Sequence, residues 1–270
     1  TLSRGIEHAL LAIFGMVAHE TEHYAAAVEV FEDLQQSTPP EEQDPQIGML
    51  LADSYVRLQQ TDRALPILNQ LIDQDRDNLD AVTMRGNILF EQGQYDEAVA
   101  DLDRAIAADP EDGNLRTKRA AANIRTSRLD LAREDLEYVQ RSETDQRAIN
   151  KINTEYQARA SIERSRLQDA EQRIERNPRD TSALRIKAEA ARNLGDYEIS
   201  KQAAASLLQV EPSSAFGLAT LMEIKPQLQD THSVNRLIES VRTRITNEEL
   251  LKAAPRLRTS SQLQNIQIRQ

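Results

Sequence analysis

Prolines recur along this chain at a fixed interval. Pro110, Pro178 and Pro212 stand sixty-eight and then thirty-four places apart, and Pro39 precedes Pro110 by two such periods plus three places. A second set of residues keeps the same phase: Gly93 and Gly195 are three periods apart, and Tyr95 and Tyr197 share that interval two places further on. A period of this length means stacked supersecondary units that bury their apolar faces against one another, because one unit alone cannot close a core.

The clearest unit runs from Leu79 to Asp112 and reads as two amphipathic helices divided by Gly93 and closed by Asp109-Pro110. It resembles the tetratricopeptide repeat. Gly86 falls at that family's small first-helix place, Ala98 and Ala105 at the small places of the second helix, Leu102 at the large apolar place and Pro110 at the end; only Val82, at the tryptophan place, departs. Residues 45–78 follow with Leu51, Ala52, Tyr55, Ala64 and Leu68 in register, and residues 8–41 with Gly15, Tyr24, Ala27, Phe31 and Pro39, after three inserted residues. Forward, 113–146 carry Ala120, Ala132 and Leu136, and 181–214 carry Ala188, Gly195, Tyr197 and Pro212. The small residues have a physical reason, since two helices joined by a short turn approach closely only where facing places lack bulk.

Two stretches depart from the pattern. Residues 147–180 put Arg166 and Arg173 where small residues should pack and have no Gly or Pro at the midpoint, so they read either as a degenerate repeat or as one long helix. Residues 215–246 read as a further helical pair whose first helix Pro226 interrupts, and 247–270 as a cap followed by a polar, Gln-rich tail. The expected fold is all-α, a right-handed solenoid of stacked antiparallel helix pairs over residues 1–246.

Composition narrows the function classes. The net charge of −11 opposes nonspecific binding to nucleic acid or anionic membranes, and ten aromatic residues without tryptophan offer no platform for stacked bases. The longest apolar stretch, Ala9 to Ala18, is too short to span a bilayer, so no membrane insertion is expected within this chain. The chain lacks an initiating methionine and a basic segment with a small-residue cleavage site, and so reads as a processed or excised part of something longer. Zero cysteines exclude disulfides and thiolate chemistry; they leave the compartment open, with a lean to a bacterial cell envelope over the cytoplasm.

One motif points to chemistry. His19-Glu20-Thr21-Glu22-His23 matches H-E-x-x-H, in which two histidines a helical turn apart bind zinc and the glutamate acts as base. The repeat register, however, puts His19 near the end of a first helix and His23 in the following turn, and no third ligand follows. A solvated turn is the preferred reading, with a zinc hydrolase as the alternative and adventitious zinc as a third. No phosphate loop or nucleophile elbow is present, so no catalytic residue, metal site or cofactor is expected.

The resemblance implies a binding scaffold, because first helices of tetratricopeptide arrays line a concave groove. Its inward places hold Ile13 and Met16, then Met49 and Leu50, then Met84, Asn87 and Phe90, an apolar floor suited to an adaptable helix or apolar peptide. Further along they turn basic, with Lys118, Arg125, Arg185 and Arg192, which would draw an acidic segment. Of the carboxylate-clamp residues found in some members of the family only Asn87 fits, so that function is not carried over. The expected partner is a protein or peptide with apolar anchors and acidic residues; a self-assembling structural module is the remaining alternative, and a homo-oligomer is compatible with either.

Overall fold

The computed structural model describes residues 2–141 and 145–253. Among them every regular element is helical. They fall into two compact units, Thr1–Glu111 and Asp112–Gln270.

The first unit holds three helix pairs: α1 (Leu2–Glu20) with α2 (Tyr24–Ser37), α3 (Pro45–Arg57) with α4 (Thr61–Gln74), and α5 (Leu79–Glu91) with α6 (Tyr95–Ala108). A 3-10 turn at Pro40–Glu42 accommodates the inserted residues between the first two pairs. Ala27, Phe31, Leu51, Ala52, Tyr55, Ala64, Leu68, Ala81 and Val82 form one continuous core through these pairs. Gly15 shows why the small first-helix place matters: a Cβ there would lie 2.5 Å from the Phe31 ring. α1 begins six residues before the expected start at His8, so its first turn and a half lies outside the repeat frame.

The second unit opens with α7 (Gly113–Arg125) and α8 (Leu129–Val139), continues through α9 (Gln146–Arg176), and closes with α10 (Thr181–Leu194), α11 (Tyr197–Val210), α12 (Ala215–Ile224), α13 (Thr231–Arg242) and α14 (Asn247–Ala253). Residues 147–180 therefore lie in the 31-residue helix α9 and its exit turn, not in a helix pair. Ile149, Tyr156 and Ala160 of α9 pack into a core with Ala120, Leu129, Ala132 and Leu136. The arginines at the small-residue places have no hairpin partner to obstruct; Arg166 binds Glu163 at 2.9 Å and Glu189 at 2.5 Å, and Arg173 binds Asp180 at 2.9 Å. Pro226 sits in a 3-10 turn, Lys225–Gln227, that ends α12. α14 takes up the start of the expected cap, while 254–270 lie outside the described residues.

Local chemistry accounts for the helix boundaries. Asp44, Asn78, Asp112, Asp180 and Ser214, all in one phase of the repeat, each accept a hydrogen bond from a backbone N–H in the first turn of α3, α5, α7, α10 and α12, and Asp145, one place out of that phase, does the same for α9. The turns within pairs use a different device. Residues 22, 59, 93, 127 and 195 adopt left-handed backbone, and the next N–H reaches back to a carbonyl five residues earlier, as in Gln94 to Leu89 at 2.9 Å and Asp196 to Ala191 at 2.8 Å. The prolines end α6, α9 and α11: Asp109, Asn177 and Glu211, each preceding a proline, leave the helix with ψ of 84°, 93° and 83° because the ring disfavours helical backbone before it.

Candidate partner-binding surface

The repeat register arranges the apolar candidates in ladders. Ile13, Leu50 and Met84 occupy equivalent places on α1, α3 and α5, one period apart once the three inserted residues are allowed for. Their environments differ. Ile13 and Met16 are exposed at 55% and 37%, whereas Met49, Leu50 and Met84 are half-buried against the core of the first unit. Phe90, also half-buried, meets Tyr95 edge to face with centroids 5.5 Å apart. Asn87 is half-buried on the same helix. Part of the predicted floor is thus internal packing, and its open part lies on α1.

His19, at the place equivalent to Phe90, is hydrogen-bonded through Nε2 to Asp53 Oδ2 at 2.8 Å, and Asp53 also meets Arg57 at 3.4 Å. The H-E-x-x-H sequence crosses a helix end. His19 is in the last turn of α1, Glu22 is left-handed at φ 62°, and His23 stands immediately before α2, its Nδ1 3.1 Å from Thr21 Oγ1. The two imidazoles therefore do not share one face of a continuous helix, the geometry the zinc chemistry needs. Among the described residues no group of three metal-ligating side chains converges.

The basic candidates lie in the second unit and are charge-paired. Arg125 on α7 forks onto Glu155 of α9 at 2.6 and 3.2 Å, Arg185 on α10 binds Glu211 at 2.9 Å, and Arg192 on α10 binds Glu223 of α12. Lys118 is half-buried on α7. The Arg185 hydrogen bond holds the Glu211 carboxyl below its ordinary range. The expected cationic strip is largely neutralised by glutamates on neighbouring elements, which lie far from it along the chain. Arg192 and Glu223 are also mostly enclosed, with side chains 12% and 7% exposed.

A feature absent from the sequence reading lies beneath these surfaces. Asp101 is buried and gripped by Arg85 through Nε at 2.7 Å and Nη2 at 2.8 Å; one period on, Asp135 is buried and gripped by Arg119 at 2.8 and 2.7 Å. The Asp101 hydrogen bond raises the Arg85 guanidinium above its already high range. The recurrence of Arg and Asp at the repeat spacing was the available signal.

The elements define an all-α protein built from stacked helix pairs, with no helix among the described residues long and apolar enough to cross a membrane. The tetratricopeptide repeat family model matches residues 49–112 and 83–146, so this part of the chain consists of tetratricopeptide repeats. A tetratricopeptide repeat protein from Parabacteroides merdae ATCC 43184 superposes with a TM-score of 0.51 over 87% of this chain and 98% of its own, at 12% identity, a likeness of fold. Structures of MamA give a TM-score of 0.47 over 78% of this chain and 94% of their own at 17% identity (strain AMB-1), and 0.46 over 83% and 97% at 14% identity. No curated protein sequence matches the chain significantly.

Proposed function

We propose that this chain is a noncatalytic scaffold that holds a partner segment on the exposed faces of its first helices, with the apolar residues of the first unit as the principal contact. The observation that carries this reading is the ladder of Ile13, Leu50 and Met84 with Met16, Met49 and Phe90 alongside, on α1, α3 and α5. Unbranched thioethers beside branched aliphatics refit to varied apolar anchors, which suits an amphipathic helix. The charge-paired arginines of the second unit favour a partner with few acidic residues, because a carboxylate ligand must displace Glu155 or Glu211 from its arginine. In this reading H-E-x-x-H is a helix-ending turn and not a hydrolytic centre.

The test is capture of a partner with the whole chain, mapping of the bound segment, and affinity measurements on two double variants. Met84→Ala with Phe90→Ala is expected to raise the dissociation rate at least tenfold, and Arg125→Glu with Arg185→Glu to change affinity by less than about threefold. Arg192 is left intact because reversing it would bury a second carboxylate beside Glu223. An unchanged affinity in the Met84/Phe90 variant would place the partner elsewhere.

A further inference from the structure

Charge is divided unevenly between the two units. Thr1–Glu111 carry 22 Asp and Glu against 6 Lys and Arg, whereas Asp112–Gln270 carry 22 against 27. Within the acidic unit, a cavity of about 230 Å³ opens where the three inserted residues separate the first helix pair from the second. Its floor is apolar: Ala9 and Ala12 of α1, Leu34 of α2 and Ile47 of α3. The places equivalent to the two alanines hold Gln46 and Met49 on α3, so α1 leaves room that longer side chains would fill. Gln43 fixes the inserted loop as a wall, since its Nε2 donates to the carbonyls of Gln35 and Thr38 at 2.9 and 3.1 Å. All of the lining comes from residues 8–47, with α1 on one side and α2, the loop and α3 on the other, so the cavity is shaped by this unit's own elements. The rim is acidic. Glu42 and Asp44 stand on it with His8, and an adjoining cleft that shares His8 is lined by Glu7 and Asp33. Among the described residues no lysine or arginine lines either space, and none of these four carboxylates is in an ion pair, whereas Glu32, Asp53 and Asp101 of the same unit are.

We propose that this cavity receives an arginine side chain of the partner segment. The aliphatic stem of arginine lies well against an apolar floor while its head stays at a polar mouth. The planar guanidinium is weakly hydrated and has donors enough for both Glu42 and Asp44. Asp44 is already oriented, because its Oδ1 accepts from the Gln46 N–H at 2.8 Å. The excess of carboxylates over the whole unit draws a cation to this mouth and repels an acidic side chain, and a purely apolar anchor would set hydrocarbon against two unpaired carboxylates. Ala9 and Ala12 stand one helical turn before Ile13 and Met16 on α1, so the arginine falls beside the exposed apolar contacts. The arginine rests on the scaffold reading for the segment that carries it, but the cavity itself can be tested without a partner.

The probe is N-acetyl-argininamide, titrated into the isotope-labelled whole chain and followed by amide chemical shifts. Shifts are expected at Ala9, Ala12, Gln43 and Ile47 with a Kd of about a few millimolar, weakening severalfold as salt rises from about 20 to 200 mM. N-acetyl-citrullinamide, an uncharged analogue of nearly the same shape, should bind at least about tenfold more weakly. Glu42→Gln with Asp44→Asn should raise the Kd about fivefold or more, and asparagine keeps the cap on α3. Ala9→Leu, at an exposed place, should fill the cavity and abolish the shifts without loss of helical circular dichroism. Glu97→Gln with Glu111→Gln removes the same charge from exposed places elsewhere in the unit and should leave the Kd within about twofold. Absence of shifts around the cavity, equal affinity for the two probes, binding that survives Ala9→Leu, or equal weakening by the Glu97/Glu111 variant would each overturn the proposal. None of these outcomes bears on the Met84/Phe90 variant, which tests the scaffold reading by itself.

Discussion

At residue 127 a serine occupies left-handed backbone, φ 57°, and Gln59 does the same at φ 60°, in the turns where other pairs use Gly93 and Gly195. A side chain there crowds its own carbonyl at a cost of roughly 1 kcal/mol, which glycine avoids. Gln59→Gly and Ser127→Gly are each expected to raise stability by up to about 1 kcal/mol, seen as a higher Tm, with part of the gain offset by the extra freedom of glycine in the unfolded chain. Gly195 has a second constraint: a Cβ would approach Asp130 Cβ to 2.8 Å, whereas nothing lies within 4 Å at Gly93. Gly195→Ala should therefore destabilise the chain more than Gly93→Ala in parallel thermal melts. Tyr55 adds a pH dependence. Burial, then its hydrogen bond to Glu32, pushes its hydroxyl up to about 12. A raised folded value means stability that is complete below the ordinary tyrosine range and is lost as pH climbs from about 10 toward 12. Tyr55→Phe should flatten that alkaline loss in denaturant titrations, and an unchanged slope would assign it to another group.

Between elements, the buried Arg85–Asp101 pair ties α5 to α6 at a place where the preceding repeat uses Leu51 and Ile67. Breaking a buried pair strands one charge, whereas replacing both partners by apolar groups removes the desolvation problem. Arg85→Leu, which strands the buried Asp101 carboxylate, is expected to cost about 3 to 5 kcal/mol, while Arg85→Leu with Asp101→Ile, copying the preceding repeat, should be neutral or stabilising in urea denaturation. A double variant as damaged as the single one would show that the pair's geometry, and not its charge balance, holds the helices. α9 makes a related point about turns. Ser161 stands one period after Ser127 yet stays helical, because α9 continues through Ile162 and Glu163 and binds its arginines to carboxylates along the way. A turn residue of the right type does not create a turn when helix propagation and side-chain pairing continue past it.

For the molecule as a whole, the net charge of −11 sets the long-range field, and the pairing of Arg125, Arg185 and Arg192 leaves little local cationic potential to oppose it. Association with an acidic peptide should therefore be slow at low salt and faster at high salt, as screening removes repulsion, while an uncharged amphipathic helix should bind at a rate nearly independent of salt. Stopped-flow binding of two synthetic helices differing only in charge checks this. Faster capture of the acidic helix at low salt would restore a cationic surface.

What the sequence determined by itself was everything that repeats locally. The spacing of prolines, glycines and small residues set the helix pairs because each acts on its own backbone or on its nearest helix, and the recurring caps Asp44, Asn78, Asp112, Asp180 and Ser214 lie in the same phase for the same reason. Tertiary structure decided what those helices expose. Lys118, Arg125, Arg185 and Arg192 read as a basic strip along the chain, but the carboxylates that balance Arg125, Arg185 and Arg192 come from 26 to 31 places away. Charge balance and burial are properties of neighbours in space, and a one-dimensional period fixes which residues are equivalent without fixing which ones have a neighbour.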